Sequence, residues 1–108
     1  MPLIDTTKLP EVERLPGWRV RYFDSASMTV AHYEFDAGAS IHEHSHQQEE
    51  VYEVIEGELE ITIAGVTGRL RPGVAGIVPS NALHSVKAIS GGSLIVVDCP
   101  RREMHPRE

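Results

Sequence analysis

Two histidines one residue apart, followed by a glutamate, are the side chains in this sequence best suited to chemistry. His44 and His46 have the same parity, so both point to the same face of an extended strand. Glu50 has that parity too, and it begins the apolar run of residues 51–55, which predicts a second strand. A tight turn between the strands would bring two imidazoles and a carboxylate together. These groups are ligands for a divalent first-row metal.

Three neighbouring positions bear on this predicted site. His84 follows a turn further along the chain and is the candidate for a fourth ligand. Glu49 has the opposite parity to the histidine pair, although a β-bulge could exchange it with Glu50. His42 shares the parity of the pair, so it lies either at the rim of the site or, if the strand kinks before the pair, in solvent.

The spacing of this cluster resembles the first sequence motif of the cupin superfamily. That motif runs glycine, five residues, His-x-His, three or four residues, glutamate, six residues, glycine. Every position is present in this chain, as Gly38, His44, His46, Glu50 and Gly57. This match is the most specific indication of function in the sequence.

The second cupin motif is matched in part by a later segment. Its first glycine, its proline and its histidine correspond to Gly73, Pro79 and His84. Asn81 replaces the second glycine, and asparagine tolerates a left-handed backbone better than most residues. Ala88 replaces the closing asparagine, which is not a ligand position. The resemblance covers roughly residues 28–98.

The cupin resemblance implies a fold, a cofactor and an assembly. The implied fold is all-β, an antiparallel double-stranded β-helix or jelly-roll barrel. The implied cofactor is one divalent transition metal, Mn, Fe, Ni or Zn, held by His44, His46, Glu50 and His84. The implied assembly is a homodimer, which would also protect the edge strands of a barrel this small.

The apolar pattern along the chain also predicts β-structure. Strand patterns recur about every ten residues from Trp18 onward, with Gly, Pro or Asn between them, and no stretch has a convincing helical period. This spacing is typical of antiparallel sandwiches and barrels, and by itself it leaves several topologies open. The predicted strands comprise residues 18–23, 28–35, 51–55, 58–63, 66–70, 74–78, 84–88 and 93–98, with a hairpin turn at Gly91–Gly92.

The chain divides into an arm, one barrel and a tail. Residues 1–17 contain three prolines, so we expect an extended arm that is either frayed or packed on a partner subunit. Residues 18–100 form the predicted barrel domain, and residues 101–108 form a charged, loose tail. The length of 108 residues fits one domain with a substantial core.

Composition argues against several classes of function. The hydrophobic share of 41% and the charged share of 24% are ordinary for a soluble globular protein, and the net charge of −6 argues against nucleic acid as a partner. No apolar run approaches the roughly 20 residues that span a bilayer, so no membrane partner is predicted. The single cysteine, Cys99, and the lack of a signal-peptide pattern predict a cytoplasmic protein.

Three residues are candidates for catalytic roles beside the metal. Tyr52 shares a strand face with Glu50, so it either lines the pocket or packs in the core. Asp98 lies on the final predicted strand, where it could act as an acid or a base. Arg102 could hold a substrate carboxylate bidentately, or it is an ordinary solvated charge of the tail.

The segment of residues 96–103 is similar to the ending of small cupins that isomerise or cyclise uronate sugars. Those proteins tend to end in an aspartate, an aromatic residue and then Pro-x-Arg-Glu, and here Pro100, Arg102 and Glu103 match. The acidic position falls on Val96 and the aromatic position on Asp98, which departs from that pattern. Asp98 could replace the acid from two residues along the same strand face.

The predicted ligand set leaves the metal open to a substrate. Three neutral imidazoles and one carboxylate leave a divalent ion with a formal charge of about +1 and, if it is six-coordinate, about two free positions. We therefore predict a small-molecule substrate, an organic acid or sugar acid that chelates through two oxygens. The reaction would be isomerase or lyase chemistry at a Lewis acid, or dioxygen chemistry at a redox metal. The barrel interior should be mostly apolar, lined by Val54, Tyr33, Phe35 and Val86.

Two hypotheses from other classes stay open. A non-catalytic cupin module would bind a metal or a small ligand, with the metal serving structure. A regulatory or storage-type cupin fragment is the weaker alternative, because no DNA-binding segment is attached. A complete ligand set favours the enzyme, since a protein that uses only the shape of the barrel need not keep it. Elemental analysis of native protein is the simplest test among the three.

Overall fold

Strands account for nearly all regular structure in residues 3–104, the range that the computed structural model describes. One 3-10 turn, Thr6–Lys8, begins after Asp5, whose carboxylate accepts a hydrogen bond from the N–H of Thr7. Within this range, no helix has the length and apolar character needed to cross a lipid bilayer. The strands are β1 Val12–Leu15, β2 Trp18–Asp24, β3 Thr29–Phe35, β4 Ser40–His44, β5 Glu49–Glu56, β6 Leu59–Ile63, β7 Val66–Leu70, β8 Ala75–Val78, β9 His84–Ala88 and β10 Gly92–Cys99.

The strands form two antiparallel sheets whose inner faces share one core. The larger sheet has the order β1-β2-β3-β10-β5-β8, and the smaller sheet has the order β4-β9-β6-β7. Burial alternates along the strands, most clearly in β5, where Glu50, Tyr52 and Val54 are buried and their neighbours are exposed. Successive strands such as β4 and β5 lie in different sheets. This is a jelly-roll arrangement, and the predicted all-β barrel fold is confirmed.

The core between the sheets is built from large apolar side chains. Trp18, Phe35, Leu59 and Leu94 are each at most 2% exposed, and the rings of Trp18 and Phe35 lie 5.6 Å apart. Full burial of an aliphatic or aromatic side chain of this kind contributes about 1.5–3 kcal/mol. The four residues expected to line the interior all belong to this core or pack against it: Tyr33, Phe35, Val54 and Val86.

The predicted arm differs from the structure over residues 12–15. β1 pairs with β2, so this part of the arm is the edge strand of the six-stranded sheet. Pro16 and Gly17 form the turn between the two strands, and Gly17 has a φ of 84°, a left-handed conformation that suits glycine. The barrel therefore begins before Trp18. The Pro-Gly pair is the local sequence signal for this hairpin.

The predicted hairpin at Gly91–Gly92 is wrong. β9 pairs with β4 and β6, whereas β10 pairs with β3 and β5, so the link between β9 and β10 crosses from one sheet to the other. Glycine is needed at position 92 for packing, because a side chain there would collide with the backbone of Glu56. The same glycine pattern thus marks a close approach of two backbones instead of a tight turn.

Candidate metal centre

Three histidines and one glutamate converge at one end of the barrel interior. One ring nitrogen of each of His44, His46 and His84 lies within 4.8 Å of the other two. His44 ends β4 and is the register partner of His84, which begins β9. Glu50, near the start of β5, is 2% exposed, and its Oε1 lies 3.1 Å from Nε2 of His84. The structure thus brings together the four residues that the sequence suggested as ligands.

A β-bulge in β4 determines which histidines face the interior. The pairing of β4 with β9 shifts register between Ile41 and His44, and both residues line the interior cavity although they are three positions apart. His42 is exposed, so of the two positions that the sequence allowed for it, the rim of the site or solvent, it occupies the second. Glu49 is exposed as well, so Glu50 is the carboxylate that belongs to the cluster.

A backbone carbonyl holds each of the three imidazoles by its Nδ1 atom. Each carbonyl belongs to a residue two positions from the histidine in sequence. The distance from Nδ1 to the carbonyl oxygen is 2.8 Å for His44 and His42, 3.0 Å for His46 and Gln48, and 2.9 Å for His84 and Ala82. Because a carbonyl oxygen can only accept, Nδ1 carries the proton and donates it in each case. The Nε2 lone pair of each neutral ring is therefore left free to bind a cation.

The distances between Glu50 and these Nε2 atoms fit a shared cation. Oε1 of Glu50 lies 3.3 Å from Nε2 of His46 and 3.1 Å from Nε2 of His84. When the rings are neutral, both atoms of each pair are acceptors, and Nε2 of His46 is buried with no hydrogen-bond partner. Two ligands at about 2.1 Å on adjacent positions of one ion lie about 3 Å apart. A divalent cation would therefore satisfy all these atoms at once.

The pKa values of the cluster describe its charge in the absence of a cation. Burial lowers the pKa of His44 to about 4, so this imidazole is neutral at pH 7. Burial is also the largest single effect on His84, but the hydrogen bonds to Glu50 and Ala82 and the charge of Glu50 together outweigh it, so the pKa of His84 is raised. Burial also opposes the charge of Glu50, yet the neighbouring imidazoles of His46 and His84, together with Asp98 and Arg102, hold its pKa well below the usual range. A metal ion would therefore compete with a proton for Nε2 of His84.

Arg102 holds the second oxygen of Glu50. Its Nη1 donates to Oε2 at 2.9 Å, while Oε1 stays beside the histidines. The backbone at this point is anchored, because the N–H of Arg102 donates to Oγ1 of Thr29 at 2.9 Å. With its side chain 14% exposed, Arg102 is a partner of the candidate ligand. The alternative of a solvated tail charge does not describe it.

Asp98 and Tyr52 place neutral proton donors beside the same carboxylate. Asp98 is the register partner of Glu50 and is 1% exposed. Burial, together with the hydrogen bond and charge of Glu50, raises the pKa of Asp98 to about 9, so this group is a carboxylic acid at pH 7. Tyr52 lines the interior cavity, and burial raises the pKa of its hydroxyl well above 10.0. Both side chains can therefore donate a proton or a hydrogen bond.

A cavity of about 30 Å³ adjoins His44 and Glu50. Its wall is mostly apolar and includes Trp18, Leu94 and Val96. Arg14 and Leu15 of β1 also line it, and neither was a candidate in the sequence analysis. They were missed because residues 1–17 were assigned to an arm. The Pro-Gly turn before Trp18 is the signal that could have placed them on the barrel.

The jelly-roll barrel and the cluster of three histidines and a glutamate at one end of its interior place this protein among the β-barrel proteins that can bind a metal ion. The chain belongs to the cupin family, since the family model described as Cupin domain matches residues 31–100. This range contains both sequence motifs named above. The resemblance based on those motifs is therefore confirmed.

Proteins similar to this chain match it over most of its length. An uncharacterized protein of Streptomyces coelicolor is 30% identical over 81 residues, which cover 75% of this chain and 77% of that protein. An RmlC-like cupin from Shewanella frigidimarina is 26% identical, with a TM-score of 0.86 over 93% of this chain and 91% of its own. KdgF from Halomonas sp., whose structure is solved, is 24% identical in sequence, with a TM-score of 0.86 over 95% of this chain and 96% of its own.

Proposed function

We propose that this protein is a metal-dependent enzyme whose substrate is a small organic acid or sugar acid that chelates the ion through two oxygens. The observation that carries the proposal is the clustering of three imidazoles, two of which have their Nε2 atoms 3.3 Å and 3.1 Å from Oε1 of Glu50. Glu50 would bind the ion together with His44, His46 and His84, and this donor set suits Mn, Fe, Ni or Zn. Four protein ligands leave about two positions on a six-coordinate ion for the substrate.

The chemistry divides between the ion and the chain. A bound ion would supply the Lewis acid of an isomerase or lyase or, if it is redox-active, chemistry with dioxygen. Asp98 holds a proton at pH 7 next to Glu50, and in this proposal it protonates a substrate atom and takes the proton back. Tyr52 offers a hydrogen bond from the cavity wall. Arg102 orients Glu50 through its ion pair, which makes it a positioning residue.

Metal content and ligand binding test this proposal. Elemental analysis of native protein should find about one divalent transition metal per chain. Calorimetry with keto acids, hydroxy acids and uronates should show binding to metal-loaded protein and none to metal-free protein. Equal binding with and without metal, or tight binding of apolar compounds without oxygens, would overturn the proposal.

A non-catalytic module is the second candidate, and the small cavity favours it. A volume of about 30 Å³ holds on the order of two water molecules, which suits a metal with a very small ligand. In this case the ion would stabilise the barrel and no acid would be converted. A protein that binds metal and acids but changes none of the panel compounds over long incubation would support this candidate.

We also propose a homodimer formed through the outer face of the six-stranded sheet. Register partners on five neighbouring strands build one apolar row across that face: Ile77, Val51, Val97, Val30 and Phe23. Ile77 is 60% exposed, so a two-fold pairing of such rows would remove apolar surface from water. Light scattering should give twice the chain mass of 11.9 kDa, and a monomer at all concentrations would reject the dimer.

A cytosolic location completes the proposal. Cys99 is exposed and free, which suits a reducing compartment. The net charge of −6 supports the prediction that nucleic acid is not a partner, and no membrane partner is proposed either. Cell fractionation that found the protein in an oxidising compartment would contradict this assignment.

A further inference from the structure

Arg14 is a buried cation on the wall of the interior cavity. The residue is 9% exposed and lines the cavity together with His44 and Glu50. A guanidinium stays charged in a protein, and its burial costs free energy unless a partner compensates it. Among residues 3–104, several arginines form ion pairs with carboxylates, but none of these ion pairs includes Arg14. Its Nη1 donates to the thioether sulfur of Met104 at 2.7 Å, and that sulfur is a weak acceptor.

The hairpin of β1 and β2 brings Arg14 to the cavity by means of a β-bulge. The pairing of these strands shifts register between Glu13 and Leu15, so the irregularity lies at Arg14. Arg14 and Leu15 both line the cavity although they are consecutive, which a regular strand does not allow. The bulge thus turns the Arg14 side chain toward the cavity while Leu15 keeps its place in the cavity wall.

The two arginines of the cavity differ in how their charges are compensated. Arg102 is paired with the carboxylate of Glu50 at 2.9 Å, whereas Arg14 has two uncharged partners, the thioether of Met104 and the hydroxyl of Tyr33. Burial raises the pKa of the Tyr33 hydroxyl, and the positive charges of Arg14 and Arg102 both act to lower it, so both charges are close to this residue. Arg14 therefore brings to the cavity lined by His44 and Glu50 a positive charge that is in no ion pair among residues 3–104.

We propose that Arg14 binds a carboxylate of the substrate that is separate from the two oxygens chelating the ion. This inference rests on the proposed function and narrows the substrate class to acids with such a second anionic group, as in dicarboxylates and uronates. The guanidinium binds a carboxylate through two parallel hydrogen bonds, which fixes the orientation of the molecule. One cavity adjoins both points, and because its volume of about 30 Å³ is smaller than such an acid, the side chains that line it must move apart when the acid binds.

Malate and lactate test this inference with zinc-loaded protein. Both acids carry the same α-hydroxy carboxylate, and malate adds a second carboxylate one carbon further on. In calorimetry, wild-type protein should bind malate about 10-fold or more tighter than lactate. In Arg14→Gln, the ratio of the two dissociation constants should fall to about 1, while the affinity for lactate stays unchanged.

Arg19→Gln is the matched control for this measurement. Arg19 lies on the neighbouring strand β2, pairs with Asp36 at 3.1 Å and does not line the cavity, so its replacement removes the same charge at the surface. This variant should keep the malate preference. Arg14→Lys keeps the positive charge and loses the planar fork, so it should show an intermediate preference. It also provides a second measurement if Arg14→Gln does not fold.

The outcomes separate this inference from the function on which it rests. If wild type and the Arg14 variants prefer malate to the same extent, or if wild type binds both acids equally, the role of Arg14 is overturned and the proposed function stands. If zinc-loaded wild type binds neither acid, the proposed function is overturned and the role of Arg14 falls with it.

Discussion

The two ends of the barrel interior differ in what they bury. Glu50 pairs with Asp98 and contacts His84, so two strands of the larger sheet and one of the smaller sheet meet at one polar end. Away from this end, the inward residues become aliphatic on each strand: Glu50, Tyr52 and Val54 on β5; His84, Val86 and Ala88 on β9; and Asp98, Val96 and Leu94 on β10. Leu59 and Leu94 belong to the apolar end, where Leu59 pairs with Ala88.

This difference separates the source of stability from the source of function. The apolar end gains free energy from burial alone and needs no ligand. The polar end buries ionised groups, which cost free energy and depend on one another or on a bound ion for compensation. Mutations at the two ends should therefore affect stability and metal binding separately, and the following experiments can sharpen or break that distinction.

The largest expected effect is a loss of stability at the apolar end. Leu59 is 0% exposed, so Leu59→Ala leaves a cavity and should lower the free energy of unfolding by about 2–5 kcal/mol. Urea unfolding of metal-free protein measures this change. The metal content after reloading should equal that of wild type, and a variant that folds but no longer binds metal would break the proposed separation.

The second effect is the loss of metal-dependent stability at the polar end. His46→Ala removes one of the proposed ligands, so the protein should retain no metal in elemental analysis. Wild type should gain about 4 kcal/mol from metal at 1,000 times its dissociation constant, and the variant should gain none. His32→Ala, on the outer face of β3, is the control. Full metal occupancy in His46→Ala would contradict the assignment of this ligand.

A smaller effect is expected from the ion pair that holds Glu50. Arg102→Gln leaves the buried carboxylate without its cation, which should cost about 1–3 kcal/mol of unfolding free energy in metal-free protein. The cost should shrink when metal is bound, because the ion then compensates the same charge. Arg101→Gln makes the same charge change at an exposed neighbour and should stay within about 0.5 kcal/mol of wild type. An equal loss of unfolding free energy with and without metal would argue against the idea that Arg102 and the metal ion compensate the same charge on Glu50.

The smallest effect concerns pH. The pKa of His84 is raised above 6.5, so its proton competes with the metal, and metal affinity should rise about tenfold per unit as the pH rises toward that pKa and level off above it. His44 does not contribute there, since its pKa is about 4. In metal-free protein, the free energy of unfolding changes with pH in the opposite direction. The stabilisation from protonated His84 is complete below the ordinary histidine pKa of 6.5 and is lost as the pH rises through the raised pKa of the folded state. Metal titrations between about pH 6 and 8 measure the first effect, and an affinity independent of pH would contradict it.

The sequence alone determined most of the strands and most of the candidate metal centre, because both depend on local spacing. Strands 66–70 and 84–88 were predicted with their observed limits, since their flanking glycines, proline and turn residues mark the ends. His44, His46 and Glu50 lie in one short segment, where parity and the cupin motif identify them together. His84 lies far along the chain, and the second motif was needed to connect it with them.

Only the tertiary structure decided how distant segments complete the site. The bulges at Arg14 and before His44 depend on the pairing of whole strands, and residue types alone do not indicate which side chain such a bulge turns inward. The ion pair of Arg102 with Glu50 joins residues from the end and the middle of the chain. Their contact exists because β10 lies beside β5 in the sheet, and that order follows from the packing of the complete barrel.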